Sequence, residues 1–351
     1  MKIRIITIHG IPNFGSVFQS YALCSFLKQN GYEDTAIIDY NPSYYEAKTL
    51  RSRIGKVLNF KAYKTRTRKF RDFVETNIPL TDNYESLDEL IKNPPRADVY
   101  IAGGDQLWNV YHTCGKDDAY KLTFAKGKKI SYATSMGQSD FTDNQLKELG
   151  EKIRDFSAVS VRESGSIALL DKVGIKATHC VDPVFLLEKH EYEKFLKPVN
   201  EDKYLLVYLV TPSPLLDRCI DYLSNKYGLK VILCSGFSKK CKCDKFLKDL
   251  GPDEILSYIK NAEIVLSSSF HATSFSLIFK KQFFTILPDV HTNERIEDLL
   301  RNLNLSERII TEKNDINTVL HKKIDYSEIT ILTDKVIDSK IFLKQSVENS
   351  N

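Results

Sequence analysis

Strand-like runs alternate with helical patterns along the whole chain, and this alternation constrains the fold more than any other feature. It is typical of βαβ units and of a parallel sheet. The strands predicted in the first half are Ile3–Ile8, Thr35–Tyr40, Val99–Ala102, Lys129–Thr134 and Ala158–Val161. Those predicted in the second half are Tyr204–Val210, Lys230–Cys234, Glu263–Leu266 and Phe283–Leu287. We therefore expect an α/β fold of two Rossmann-like, doubly wound domains that face a cleft.

The domain boundary is expected at Asp182-Pro183, because proline lacks a backbone donor and ends regular strand pairing. A length of 351 residues is also close to that of two domains. We expect an N-terminal domain of residues 1–185, a C-terminal domain of residues 186–330, and a C-terminal helix with a polar tail over residues 331–351. Helices are predicted at Ser16–Gln29, Asp253–Asn261, Ala272–Lys280, Glu294–Asn302 and Thr333–Val347.

The seven cysteines are scattered, which is typical of a reducing compartment. Only Cys241 and Cys243 are close together, and they lack the further ligands that a zinc site needs. The sequence shows no signal-type segment and no apolar run near the roughly 20 residues that a membrane span requires. We expect a cytoplasmic protein with no metal site.

The net charge of +4 conceals one basic stretch. Nine basic residues and no acidic one lie between Arg51 and Arg71, and subtracting their charge leaves −5 for the rest of the chain. The stretch also lacks any known nucleic-acid-binding module, so nucleic acid is not an expected partner. A solvated helix face is the simplest interpretation of the stretch, and contact with an anionic surface is the alternative.

Polar residues and glycines follow several predicted strands, at the carboxyl ends where open α/β sheets bind ligands. His9–Ser16 follows the first strand, with Ser16 as the predicted helix cap. Gly103–Asn109 follows a later strand and combines two glycines, Asp105, two amides and the only tryptophan. Each segment is either a recognition loop or a capped turn, and the residues alone leave both interpretations open.

Arg162 closes the last predicted strand of the first half. Its planar guanidinium suits the binding of a carboxylate or a phosphate. An ion pair with Glu163 or Asp182 is the alternative interpretation.

His271 lies in a segment rich in serine, between a predicted strand and a predicted helix. A helix N-terminus there would attract an anion. No carboxylate in the same loop orients the histidine as in a catalytic triad, so a purely structural histidine is the alternative.

Taken together, these segments resemble the polysaccharide pyruvyl transferase family in their order and spacing. This chain departs from the family pattern by Gly104 in place of serine and Ala272 in place of glycine. Some members carry arginine two residues before the histidine, where this chain has Ser269. The segments that carry the resemblance are Asn13–Leu23, Gly103–Asn109, Ser131–Gly137, Val161–Glu163, Val181–Leu187 and Ser269–Ser276.

The resemblance implies a two-domain architecture similar to that of the glycosyltransferase B enzymes. It also implies transfer of the pyruvyl group of phosphoenolpyruvate to a sugar of a surface, capsule or exopolysaccharide precursor. The product is a cyclic pyruvate ketal, phosphate is released, and no cofactor is needed. Two alternatives stay open: a glycosyltransferase that uses a nucleotide sugar, and a non-catalytic sugar-binding member.

The resemblance also implies roles for particular residues. His271 is the expected general acid or phosphate contact, Arg162 the clamp for the donor anion, and Asp105 the acid–base partner of the sugar hydroxyl, with Asp182 as second choice. Further donor contacts are expected from Ser269 and Arg295. The residues expected on the acceptor side are Asn13, Gly15, Gln19, Gly103, Gly104 and Gln106.

The sugar acceptors of such enzymes are often built on a membrane-bound lipid diphosphate. Arg51–Arg71 is then a candidate contact for that diphosphate or for anionic headgroups, and the protein would be peripheral at the inner face of the membrane.

Overall fold

The computed structural model describes residues 1–45, 59–137, 140–208, 215–234, 236, 239, 241–287, 294–312 and 319–349. These residues form two compact units. The first comprises the described residues of Met1–Lys48, Val74–Leu187 and Leu332–Asn351, and the second those of Thr49–Phe73 and Glu188–Ile331. The predicted α/β fold class is confirmed, since both units are built on parallel sheets.

The first unit contains a parallel sheet in the order β3-β2-β1-β4-β5. Its apolar strands are buried; Ile5 of the central strand, for example, lies opposite Ile37 on one side and Ile101 on the other. A short parallel pair, β6 and β7, continues beside the last strand through isolated bridges. The strands are β1 (Lys2–Ile6), β2 (Asp34–Tyr40), β3 (Leu80–Tyr84), β4 (Val99–Gly103), β5 (Lys128–Tyr132), β6 (Ser160–Val161) and β7 (Thr178–His179).

The second unit repeats this topology in a parallel sheet of order β10-β9-β8-β11-β12-β13. In each sheet the strand order reverses between the first and fourth strands, β1 and β4 or β8 and β11, which is the Rossmann arrangement. The strands are β8 (Tyr204–Tyr208), β9 (Lys230–Cys234), β10 (Lys245–Leu247), β11 (Ile264–Ser267), β12 (Gln282–Ile286) and β13 (Ile309–Ile310).

Helices connect the strands within both units. The helices that begin at Phe14 and Phe270 each follow a buried strand and a short loop. The helices are α1 (Phe14–Gln29), α2 (Phe60–Asn77), α3 (Leu87–Lys92), α4 (Asp143–Ile153), α5 (Gly165–Asp171), α6 (Lys189–Glu193), α7 (Leu215–Tyr227), α8 (Pro252–Asn261), α9 (Phe270–Ile278), α10 (Glu294–Asn302) and α11 (Thr330–Glu348).

The sequence predicts one continuous N-terminal domain of residues 1–185, whereas in the structure α2 up to Phe73 groups with the second unit. Lys69 of α2 binds the carboxylate of Glu254 at 2.7 Å, and the ring of Phe73 packs 5.0 Å from that of Phe195. These contacts hold the helix to the second unit although its sequence position lies in the first half.

The C-terminal helix α11, predicted as a separate element over residues 331–351, packs on the first unit. The backbone N–H of Val181 donates to the hydroxyl of Ser339 at 3.0 Å, and the hydroxyl of Tyr32 donates to Glu348 at 2.7 Å. Among the described residues, no helix combines the length and apolar character needed to cross a membrane.

Candidate functional site

Asp105 and Ser16 join two loops at the switch point of the first sheet. Asp105 follows β4, and its carboxylate accepts hydrogen bonds from the Ser16 hydroxyl and from the backbone N–H of Gln106, both at 2.7 Å. Ser16 therefore does not cap α1 as predicted. The cap is Asn13, an exposed residue whose side-chain oxygen accepts from the N–H of Gly15 at 3.0 Å. Ser16 lies inside the first turn, from which its hydroxyl reaches Asp105.

Gln19 holds these loops together through hydrogen bonds of its side chain. Its side chain is fully buried, and its amide nitrogen donates to Thr7 Oγ1 at 2.8 Å and to the carbonyl of Ser16 at 2.9 Å. Its oxygen points at Gly104, where a Cβ atom would lie only 1.9 Å from it. Gly104 has a φ of +88°, so both its backbone and its surroundings favour glycine. Gln19 thus holds the loop in shape through these contacts, and its predicted contact with a sugar stays a prediction.

Gly103 and Gln106 complete the loop after β4. A Cβ atom at Gly103 would lie 2.9 Å from the side chain of Leu23 and 3.1 Å from the carbonyl of Tyr132, so the close approach of α1 and β5 needs a glycine here. Gln106 is partly exposed, and its side-chain oxygen accepts from Asn109 at 2.9 Å. Of the predicted acceptor-side residues, Asn13 and Gln106 are the ones whose side chains reach solvent.

Arg162 lies in a buried ion-pair network. Its Nη1 donates to Asp182 Oδ2 at 2.6 Å and to the carbonyl of Gly104 at 3.2 Å, and its Nε donates to Glu163 Oε1 at 3.3 Å. Its side chain is 3% exposed and that of Asp182 is 0% exposed. The structure thus shows both ion pairs of the alternative interpretation, and it does not show an open clamp, because the carboxylates already occupy the guanidinium.

The charges around Arg162 keep it protonated. Burial alone would lower the pKa of Arg162, but the carboxylates of Glu163, Asp182 and Asp105 outweigh this effect and raise it. Glu163 in turn accepts from the Ser135 hydroxyl at 2.6 Å. The network therefore ties the ends of β4, β5 and β6 together.

His271 lies at the switch point of the second sheet, in the first turn of α9. It is 5% exposed, and its ring packs edge-on against Phe270 with centroids 5.2 Å apart. Ser269 caps the helix, and its own N–H donates to the Ser267 hydroxyl at 2.9 Å. The Ser267 hydroxyl donates to the carbonyl of Tyr208 at 2.5 Å, which links β11 to β8 beneath the histidine.

Arg295 is the second residue of α10, a helix that contacts α9. It is partly exposed. The structure therefore places Ser269, His271 and Arg295 in one unit and on adjoining helices.

Sequence reasoning missed Arg66, which lies in the second unit although it comes from the basic stretch. Its side chain is buried, its guanidinium lies over the ring of Phe70 at 5.3 Å, and it is hydrogen-bonded to the hydroxyl of Tyr208. Tyr208 and Cys234 end the neighbouring strands β8 and β9 in register. The spacing of Arg66, Phe70 and Phe73 along one helix face was the available signal.

Buried His9 and partly exposed Asp39 form a second pair in the first unit. The His9 Nε2 lies 2.9 Å from Asp39 Oδ1, and Nδ1 lies 3.2 Å from the carbonyl of Thr7. Both partners of the His9 ring are oxygen acceptors. Burial raises the pKa of Asp39, but hydrogen bonding and charge from His9 outweigh this effect and lower it. Within the described part of the chain, no group of three or more histidine, cysteine or acidic residues is arranged to hold a metal ion.

The sequence model described as polysaccharide pyruvyl transferase matches residues 13–289 of this chain. This range contains Asp105, Arg162 and His271, whereas His9 and Arg295 lie outside it. Among curated protein sequences, none matches the chain.

Solved structures similar to this chain include the UDP-GlcNAc 2-epimerase of Methanocaldococcus jannaschii in complex with UDP-GlcNAc and UDP. The TM-score is 0.51 at 16% identity, over 100% of this chain and 94% of that one. For the UDP-GlcNAc 2-epimerase of Neisseria meningitidis bound to UDP-GlcNAc, the TM-score is 0.52 at 11% identity. The match covers 98% of this chain and 100% of that one. For the glycotransferase of kitacinnamycin, the TM-score is 0.52 at 11% identity. The match covers 97% of this chain and 95% of that one. At these identities the likeness shows the fold alone, and that fold is of the glycosyltransferase B type.

Proposed function

The chain belongs to the polysaccharide pyruvyl transferase family, and from this premise we propose that it transfers the pyruvyl group of phosphoenolpyruvate to a sugar of a surface or exopolysaccharide precursor. Two hydroxyls of the sugar add to C2 of the donor, C3 gains a proton, and phosphate leaves. The product is a cyclic ketal. The observation that carries the proposal is the family match over residues 13–289, which spans the switch points of both sheets.

The second unit supplies groups suited to the donor. Phosphoenolpyruvate carries a carboxylate and a phosphate, and the turn from β11 into α9 presents the capped helix start with Ser269 and His271. We assign to His271 the protonation of C3 or the contact to the leaving phosphate. Arg295 is assigned as a second anion contact. General acid–base catalysis of this kind contributes about 10²- to 10⁴-fold to a rate.

The first unit supplies the residues assigned to the sugar. Asp105 is the proposed proton acceptor; its carboxylate accepts from Ser16 and from the N–H of Gln106, and further lone pairs remain for a sugar hydroxyl. Asp182 is a weaker choice, because its buried carboxylate is bound to Arg162 at 2.6 Å. Arg162 is assigned the role of holding Asp182 and the loop at Gly104 in place, and through them the surroundings of Asp105.

The proposed partners are phosphoenolpyruvate and a sugar acceptor on a lipid diphosphate. In the basic stretch, Arg51, Arg53 and Lys56 lie outside the described residues. On α2 the rings of Phe70 and Phe73 are buried within the protein, so they are not available to a membrane, whereas Phe60 is 62% exposed. Any peripheral contact at the inner face of the membrane therefore rests on the exposed basic residues Lys61, Lys64, Arg68 and Arg71.

The test is incubation with phosphoenolpyruvate and a panel of lipid-linked and free oligosaccharides. Phosphate release is measured together with the mass of the products. We expect phosphate release that depends on the acceptor, and one product with the mass increment of a pyruvate ketal. Transfer of a sugar from a nucleotide sugar would instead establish the glycosyltransferase alternative. Acceptor binding without phosphate release would establish the non-catalytic one.

A further inference from the structure

We propose that a cavity in the first unit binds a small organic anion with an apolar body. The cavity has a volume of about 270 Å³. It lies between residues 108–121, which follow β4, and helix α4 of the next connection. The inference does not depend on the proposed function, because it rests on the lining of this cavity alone.

Contacts within the protein hold the walls of the cavity in place. The ring of Trp108 packs edge-on against that of Phe156, with centroids 6.1 Å apart, and its Nε1 donates to the carbonyl of Tyr120 at 3.1 Å. Lys152 of α4 reaches across to Asp118, with 2.8 Å between Nζ and Oδ1. The cavity is therefore formed before a ligand binds, which lowers the entropic cost of binding.

Part of the lining is apolar. Trp108 and Leu149 are buried, and Val110 is partly exposed. An aromatic body packs favourably against an indole ring. Ligand pockets usually measure about 300–1,000 Å³, so a cavity of about 270 Å³ suits a molecule smaller than a typical drug.

The charged part of the lining is mainly basic, with three lysines and one acid. These residues are Lys116, Lys121, Lys152 and Glu148. A ligand that enters this cavity therefore meets an excess of positive charge, which favours an anion.

Lys121 is buried and shares its counter-ion. It is 4% exposed, and its Nζ donates to the carbonyl of Gly115 at 2.7 Å and lies 3.3 Å from Asp118 Oδ1. Asp118 is bound more closely by Lys152, at 2.8 Å. Burial lowers the pKa of Lys121, and the charge of Asp118 offsets only part of this effect. A further negative charge in the cavity would therefore stabilise the ammonium of Lys121.

The other acids near the cavity already have partners. Glu148 is bound by Lys152 at 2.6 Å. The carboxylate of Asp117 accepts from the hydroxyls of Tyr40 and Tyr44 at 2.7 and 2.8 Å. These acids are thus engaged by other groups.

Lys116 supplies the cation that is open to a ligand. It is exposed, and it lines the cavity. Within the described part of the chain, its ammonium forms no hydrogen bond and no ion pair. A carboxylate next to this ammonium would place an apolar body toward the indole, and this arrangement identifies the ligand class as a small carboxylate with an apolar or aromatic body.

The experiment measures the tryptophan fluorescence of the full-length protein, because Trp108 is the only tryptophan of the chain and lines the cavity. The probes are benzoate, its neutral analogue benzamide, and inorganic phosphate, which is an anion without an apolar body. We expect benzoate to change the emission saturably, with a dissociation constant on the order of 1 mM or below. Benzamide should bind at least about 10-fold more weakly, and phosphate at the same ionic strength should leave the emission unchanged.

The variants test the cation and the apolar wall separately. Lys116→Met should weaken benzoate by about 5- to 10-fold, and Lys116→Arg should keep most of the affinity. Val110→Phe should weaken benzoate as well, because it fills part of the cavity. The matched control is Lys126→Met, which removes an exposed lysine outside the cavity from the same connection and should leave the affinity unchanged.

Melting temperatures without probe establish that each variant is folded. A saturable response to benzoate that depends on both Lys116 and Val110 would support the inference. The absence of a saturable response in the wild-type protein would overturn it. An equal affinity for benzamide, an equal response to phosphate, or an unchanged benzoate affinity in Lys116→Met would overturn it too.

Discussion

The guanidinium of Arg162 lies 2.6 Å from the carboxylate of Asp182, and neither side chain has appreciable contact with solvent. Asp182 lies five residues before Leu187, where the chain passes from the first unit into the second. The same guanidinium also contacts Glu163 and the backbone of Gly104. Arg162 thus has a structural role in the candidate site, because it holds these three partners together.

Arg162→Met is expected to lower the free energy of unfolding by about 3–5 kcal/mol, because it leaves buried carboxylates without their cation. Urea denaturation measures this, with Arg154→Met as the control at an exposed position. An unchanged stability together with a raised KM for phosphoenolpyruvate would show an open anion clamp instead.

Gly104→Ala is expected to cost about 1–3 kcal/mol more than Gly31→Ala. The two glycines have similar φ values of +88° and +92°, but a Cβ atom at Gly104 meets Gln19, whereas one at Gly31 meets nothing within 4 Å. The difference between the two variants in urea denaturation isolates the contact. Equal costs would mean that the Gln19 side chain moves aside freely.

His271→Ala is expected to lower turnover by about 10²-fold or more if the residue is the general acid. His190→Ala serves as the control, since His190 is exposed in the same unit. Rates are measured as phosphate release at saturating phosphoenolpyruvate and acceptor. Near-wild-type turnover of the folded variant would exclude His271 from the chemistry.

Acidification is expected to destabilise the first unit through Asp39. The pKa of Asp39 is lowered in the folded state, so its contribution to stability is present above the unfolded value of about 3.9 and is lost as the pH falls through the folded value. Urea midpoints between pH 7 and pH 3 measure this. Asp39→Asn should reduce the fall of the urea midpoint at acidic pH. Asp171→Asn, at an exposed position, should leave that fall unchanged. An identical acid limb in both variants would contradict the role of the His9 pair.

The exposed cations of α2 are expected to direct any binding to anionic vesicles. Reversing Lys61, Lys64 and Arg68 to glutamate should weaken co-sedimentation by about 100-fold, since each such cation contributes about 1 kcal/mol near an anionic surface. The charge-matched control reverses the exposed lysines Lys147, Lys172 and Lys176. Binding that resists both salt and the α2 reversals would defeat the idea of a peripheral contact.

The fold was predictable from the sequence where the strands are apolar. Lys230–Cys234 and Glu294–Asn302 have the predicted bounds, and the other predicted strands that the structure describes overlap the observed ones. The strand Leu80–Tyr84 was not predicted, because it is an edge strand with polar residues and no apolar run. Strand-end motifs were predictable for the same reason as the strands, since each motif is adjacent to a buried run.

The partners of the site residues were harder to predict, because they are distant in sequence. Arg162 and Asp182 are 20 positions apart, and Ser16 and Asp105 are 89 apart. From residue types alone, a structural ion pair and an anion clamp were equally good interpretations of Arg162. The burial of Arg162 and Asp182 in the structure favours the ion pair. Arg66 looked like one of nine similar cations, and its difference appears only when the helix face it shares with Phe70 is packed.

Each unit includes a segment from the other half of the sequence: α11 belongs to the first unit, and α2 up to Phe73 belongs to the second. This affects how the protein can be divided into fragments. A cut at Leu187 would leave the first half without α11, whose Ser339 satisfies the backbone N–H of Val181. The same cut would leave the second half without α2 and its bridge from Lys69 to Glu254. We therefore expect neither contiguous half to fold stably by itself. Chimeras with relatives should therefore exchange α2 together with the second half and α11 together with the first, so that each graft carries the segment that completes it.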